Sequence, residues 1–96
     1  MKFLQIMEFE GTPEEADKAM RGYIEKADGR SYARRAKICV DLDKPGTVIQ
    51  LIEFDSLEEA QKNNELEMTE DDHQETQETF GEISFRNLNI FEEYEI

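Results

Sequence analysis

A chain of 96 residues with a formal net charge of −13 and one cysteine has room for one small domain and no internal disulfide. Its charge repels the phosphates of nucleic acids and of anionic membranes, so neither is an expected partner. Hydrophobic residues at 38% and charged residues at 36% fit a globular chain rather than a disordered one, and no stretch suits a membrane span or a signal peptide, so a cytoplasmic location is expected.

The first predicted strand is Lys2 to Glu10. Gly11 breaks it, and Thr12, Pro13 and Glu15 form a helix start with an N-cap, a first-turn proline and a capping box. Apolar residues at Ala16, Met20, Tyr23, Ile24 and Ala27 then recur at helical spacing. Gly29 is the expected stop. A second strand runs from about Arg34 to Leu42, with Ala36, Ile38, Val40 and Leu42 alternating against Lys37, Cys39 and Asp41. Cys39 reads as a small packed hydrophobe.

Asp43-Lys44-Pro45-Gly46 is a hairpin turn, and Thr47 to Phe54 is the third strand. Ser56 and Glu59 make a second capping box, and a helix is expected from Leu57. The segment from Asn63 to Thr79 is poor in apolar residues. Thr69 with Asp72 suits a fresh start, so a broken second helix is expected, ended by Gly81. A fourth strand covers about Ile83 to Glu93. Its apolar register shifts near Arg86 and Asn87, which suggests a bulge.

One segment occurs twice: Leu4-Gln5-Ile6-Met7-Glu8-Phe9-Glu10 returns as Ile49-Gln50-Leu51-Ile52-Glu53-Phe54-Asp55. Each copy leads into a capped helix. The βαββαβ order predicts an α+β, ferredoxin-like fold: a four-stranded antiparallel sheet with its helices on one face. The repeated strands are expected at the centre, running parallel and apolar on both faces. Phe3, Met7 and Phe9 point one way, Leu4 and Ile6 the other. Two helices cover one face, so the second needs a partner, most simply a second copy of the chain. Burying four large apolar residues per subunit contributes on the order of 6–12 kcal/mol before association costs. A homodimer is the expectation.

At this point the chain resembles the dimeric α+β barrel superfamily, and within it small bacterial proteins related to the antibiotic-biosynthesis monooxygenases. The resemblance rests on the βαββαβ order, on Phe3-Leu4-Gln5-Ile6-Met7-Glu8-Phe9, on Val48 to Phe54 running into Ser56-Leu57-Glu58-Glu59-Ala60, and on Phe85-Arg86-Asn87-Leu88. It implies a pocket between helices and sheet or within the barrel. The superfamily includes cofactor-independent oxygenases of aromatic polyketides, haem-degrading enzymes, isomerases and members of no known activity.

Gln5 and Gln50 stand mid-strand in apolar rows. As neighbours they make either a hydrogen-bonding pair suited to a carbonyl or phenol, or an amide pair that fixes register; most buried polar groups are simply paired. Glu8 and Glu53 repeat likewise and read as rim residues. The segment from Gly29 to Lys37 concentrates four of the eleven basic residues. Arg34 or Arg35 suits a substrate carboxylate or enolate, with Tyr32 for proton transfer; pairing with the abundant glutamates is the plainer reading. Tyr23, Asn63 and Asn64 are candidate hydrogen-bonding groups for a substrate, though core packing and helix capping also account for them.

His73, the one histidine, reads as solvated among acidic neighbours. A haem reading is weakened by the lack of tryptophan and of an asparagine in the first strand, which the haem-degrading relatives carry. No nucleotide-binding glycine pattern, nucleophile triad or metal-ligand spacing stands out. The expected function is a cofactor-independent, monooxygenase-like or isomerase-like enzyme for a small aromatic or carbonyl compound, with a non-catalytic binding module as the alternative and a haem-binding protein third. No cofactor and no metal site are expected.

Overall fold

A computed structural model describes all residues, 1–96. In chain order it contains β1 (Phe3–Glu10), α1 (Pro13–Ala27), β2 (Ala33–Val40), β3 (Thr47–Phe54), α2 (Leu57–Asn64), α3 (Glu67–Phe80) and β4 (Ser84–Asn89). The sheet order is β2-β3-β1-β4, and all neighbouring strands are antiparallel. This is the βαββαβ, ferredoxin-like α+β architecture.

The repeated strands are central neighbours but antiparallel, not parallel: Phe3 faces Phe54 and Glu10 faces Thr47. The hairpin explains the correction. α1 returns the chain so that β2 follows the direction of β1. The turn closed by Thr47 N–H donating to the Lys44 carbonyl at 3.1 Å then reverses it for β3. Both strands are still apolar on two sides, because both are interior.

Helix termini follow their local chemistry. Thr12 Oγ1 accepts from the Glu15 amide at 3.2 Å, and Glu15 Oε1 accepts from the Thr12 amide at 3.3 Å, which completes the capping box. At the far end of α1 it is Asp28, with φ 45°, that takes the left-handed position ahead of Gly29; aspartate tolerates that conformation. The second helix is broken as expected. α3 nevertheless begins at Glu67 behind an uncapped Leu66, not at Thr69, whose hydroxyl is engaged by Tyr23 across the core.

Two strand expectations need amendment. β4 pairs with β1 without a register break from Ser84 to Asn89, so no bulge occurs at Arg86 and Asn87. Phe85 and Leu88 occupy opposite faces of a regular strand. β4 is also shorter than expected, continued only by Ile90 N–H donating to the Lys2 carbonyl at 2.8 Å. The irregularity lies instead in β2, where the register slips between Ala33 and Arg35 and leaves Arg34 as an extra residue.

The helix-side face of the sheet carries two apolar clusters, with Ile52 packed against both. Met7, Phe9, Ala16 and Val48 form one, packed by Ile38, Phe80 and Ile83. Phe3, Phe54 and Ala60 form the other, packed by Tyr32 and Ala33. Gln5 and Gln50 lie in the rows between them. On the opposite face Leu4, Ile6, Ile49 and Leu51 are half-buried, with no layer above them.

Gly11 joins β1 to α1 directly under the end of α3. A Cβ there would stand 2.8 Å from Phe80 Cδ1, and the Phe80 ring is itself packed on Phe9 with centroids 4.6 Å apart. Gly11→Ala is therefore expected to destabilise the fold by about 1–3 kcal/mol through overpacking. Urea or thermal unfolding measures it; an unchanged midpoint would show that Phe80 can turn aside freely.

Candidate functional site

Between the two clusters lies a cavity of about 340 Å³, bounded by the helix-side face of the sheet, by α1 and α3, and by the start of β2. Its size falls at the lower end of the range for small-molecule sites. Met7, Met20, Ile24, Ile52 and Phe54 supply apolar wall. Ile24, 59% exposed on the inner stripe of α1, marks where the cavity opens.

Gln5 and Gln50 both line it. They share a face but are not directly opposite: Gln5 faces Ile52 and Gln50 faces Met7. The two amides do not bond to each other. Gln50 Nε2 donates only to Met7 Sδ, at 3.4 Å, a weak acceptor. Gln5 is 8% exposed, and its side chain has no protein partner. Most buried amides are paired, so these two hold unused hydrogen-bonding capacity on an apolar wall.

Asn63, at the end of α2, is the organising polar residue. Its Oδ1 accepts from the Tyr32 backbone N–H at 3.0 Å and from Ser31 Oγ at 2.9 Å. A backbone N–H can only donate, so the amide orientation is settled. Nδ2 is then left as a donor without a protein partner on a cavity-lining residue. Tyr23 Oη adds α1 to the network, 2.9 Å from Thr69 Oγ1 and 3.2 Å from Ser31 Oγ. Three helices and the entry to β2 are thereby tied at one corner. Asn64 also lines the cavity, exposed and without a partner.

The basic segment is mostly neutralised. Arg34 reaches the cavity as the extra residue of β2, but its Nε donates to Asp55 Oδ2 at 2.9 Å, and its Nη2 stands 3.5 Å from Glu59 Oε2. That oxygen is buried without a well-formed hydrogen bond, so the Arg34 charge is its compensation. Arg35 lies 3.8 Å from Glu53, its cross-strand neighbour on the far side of the sheet. Tyr32 packs against the Phe3–Phe54 cluster and is not part of the cavity wall. Glu8 pairs with Lys44 at 3.7 Å, far along the strand from Glu53.

α3 presents what sequence reading did not single out. Thr69, Asp72, His73, Thr76 and Phe80 recur at helical spacing and turn inward: Thr69 and Thr76 are buried, and Asp72, His73 and Phe80 half-buried. His73 is thus not the solvated residue expected. It lines the cavity, and its ring meets Phe85 edge-on at 6.0 Å. The spacing was the available signal, hidden because the stripe is polar. Burial holds the His73 imidazole below its usual pKa. Burial likewise pushes the Asp72 carboxyl up to about 6, with repulsion from Glu75 adding to it and the Lys26 ammonium opposing it.

Among solved structures, SnoaB from Streptomyces nogalater, a cofactor-independent oxygenase seen as an asparagine-to-alanine variant, superposes with a TM-score of 0.77 at 7% identity over 96% of this chain and 95% of that one. Rv0793 from Mycobacterium tuberculosis matches with a TM-score of 0.75 at 11% identity over 99% and 100%. A protein from Caulobacter crescentus assigned as an antibiotic biosynthesis monooxygenase matches with 0.74 at 11% identity over 95% and 91%. The fold is therefore that of the antibiotic-biosynthesis-monooxygenase-like proteins. No family model and no curated protein sequence matches the chain.

The raised pKa of Asp72 has a consequence for stability. Folding favours its protonated form, so the contribution is complete below the unfolded value of 3.8 and is lost as pH rises through about 6. Asp72→Asn is expected to be the more stable protein at pH 8, by ~1 kcal/mol once solvent screening of this partly exposed group is discounted, with the advantage shrinking towards pH 4. Thermal unfolding across pH checks this; a parallel pH dependence in both proteins would contradict it.

Proposed function

We propose that this protein is a small-molecule enzyme, cofactor-independent and oxygenase-like or isomerase-like, that acts as a homodimer on a compact aromatic or carbonyl compound. The observation that carries the reading is the cavity: apolar walls interrupted by Gln5, Gln50 and Asn63 amides with free donors. Such a surface favours a flat apolar molecule with one or two oxygen acceptors, because those acceptors restore hydrogen bonds that the fold leaves unmade. Likeness in fold to a cofactor-independent oxygenase supports the same class.

One observation favours the non-catalytic alternative. Arg34 and Arg35 are held by carboxylates, so neither offers a free cation to a substrate anion. The haem reading finds less support. His73 is on the wall, but its ring is seated on Phe85 and the adjacent residue is the acid Asp72. A cavity of about 340 Å³ suits a one- or two-ring molecule better than a macrocycle.

The ligand reading is tested with 1-phenylbutane-1,3-dione, a compact aromatic diketone. Saturable shifts of the Gln5, Gln50 and Asn63 side-chain amide signals are expected by NMR. Gln5→Leu should bind it about 3–10-fold more weakly, the worth of one hydrogen bond. Binding that leaves these signals untouched would place the ligand elsewhere.

The dimer reading rests on the uncovered face. Leu4, Ile6, Ile49 and Leu51 form its centre, with Lys37 and Arg86 beside them on the outer strands. An apolar middle with a charged rim is the usual anatomy of an interface. Sedimentation should give a dimer at micromolar concentration, and Leu51→Lys should convert it to a monomer. A wild-type folded monomer at that concentration would refute the assembly.

A further inference from the structure

We propose that Asp72 is the proton acceptor of the cavity, taking a proton from a carbon or hydroxyl conjugated to a carbonyl group that the Gln5, Gln50 and Asn63 amides hold. The proposal rests on the cavity reading above and assigns its chemistry. The chain has 24 acidic residues, yet Asp72 is the sole carboxylate among those lining the cavity. Its carboxylate accepts no hydrogen bond and forms no ion pair; in contrast, Asp17, Asp55, Glu8, Glu53 and Glu59 all have cationic partners.

The charges around it leave it basic. From α1 the facing cation is Lys26, itself 3.5 Å from Glu75 on α3. From β2 the cations are Arg34 and Arg35, both spent on other carboxylates. His73 follows it on α3, and burial disfavours the imidazolium form, so no cation is supplied there. A carboxylate in this setting keeps its proton affinity near neutrality, as a general base requires. Asp72 also borders the groove between α1 and α3, beside Lys26, Glu75 and Thr76. That second exposure gives the proton a route to solvent.

The step balances without an oxidant. The substrate C–H bond breaks and an O–H bond forms on Asp72. The C–H electron pair becomes the enolate, whose charge settles on the carbonyl oxygen under the amide N–H donors. Return of the proton to a different atom of the conjugated system completes an isomerisation and regenerates the carboxylate.

The test follows keto–enol interconversion of 1-phenylbutane-1,3-dione by ultraviolet absorbance, with NMR titration of the Asp72 carboxyl carbon and the His73 ring in the same protein. Wild-type acceleration is expected to rise with pH along the Asp72 titration. Asp72→Asn should bind the diketone within about threefold of wild type yet lose on the order of 10²-fold or more in rate. Binding with no acceleration, a rate that follows the His73 titration, or full activity in Asp72→Asn would each overturn the assignment while leaving the cavity reading intact. Failure of the diketone to bind wild type would overturn both.

Discussion

Two amides in the inner face of the sheet govern the rest of the molecule. Gln5 and Gln50 occupy positions that would otherwise carry core hydrophobes, between Phe3 and Met7 on β1 and between Val48 and Ile52 on β3. An amide buried against hydrocarbon without a partner costs on the order of 1–3 kcal/mol. The helices therefore cannot close over this point as they do at either end. The core divides into two clusters, and a cavity remains between them. A polar pair shared by the two central strands thus coincides with the point where close packing stops.

The cavity is kept open by a rigid corner. Asn63, Ser31, Tyr23 and Thr69 come from α2, the α1–β2 connection, α1 and α3. Their mutual bonds satisfy groups that would otherwise compete for a ligand. They also fix the direction of the one donor left over, Asn63 Nδ2. A satisfied network of this kind holds geometry at the cost of tolerance, because removing any member strands the others. Stiff support of this sort is what a small site needs if its few polar contacts are to be selective.

Charge is sorted with equal economy. The acidic residues lie mostly on outer surfaces, and the arginines of the basic segment serve to hold Asp55, Glu59 and Glu53. The cavity itself keeps one carboxylate, Asp72, and one imidazole, His73. Both feel burial more than they feel neighbouring charge. The opposite face of the sheet has the reverse character, an apolar centre of Leu4, Ile6, Ile49 and Leu51 flanked by charges of both signs.

The alternation in β1 and β3, the capping box at Thr12, the N-cap at Ser56 (a one-way cap rather than the expected box, since the Glu59 carboxylate turns to Arg34), and the Pro45-Gly46 turn are local signals. Each acts over a few residues, so element order, the capping of α1 and α2 and the two-faced character of the central strands were legible in the chain itself. Gln5 and Gln50 were legible too, as polar groups out of place in apolar rows, and Tyr23 and Asn63 as a hydroxyl on the inner stripe of α1 and an amide where α2 ends. The direction of β3 relative to β1 was not, since it depends on how a helix and a hairpin add together. Nor was the inner stripe of α3, because Thr69, Asp72, His73 and Thr76 carry no hydrophobic period and are buried only by the elements laid across them. Tertiary structure also decided that Arg34 and Arg35 answer to Asp55, Glu59 and Glu53, partners set by strand register and by the extra residue in β2. Hydrophobic pattern reports which face of an element is inward; the contacts made there belong to the packed fold.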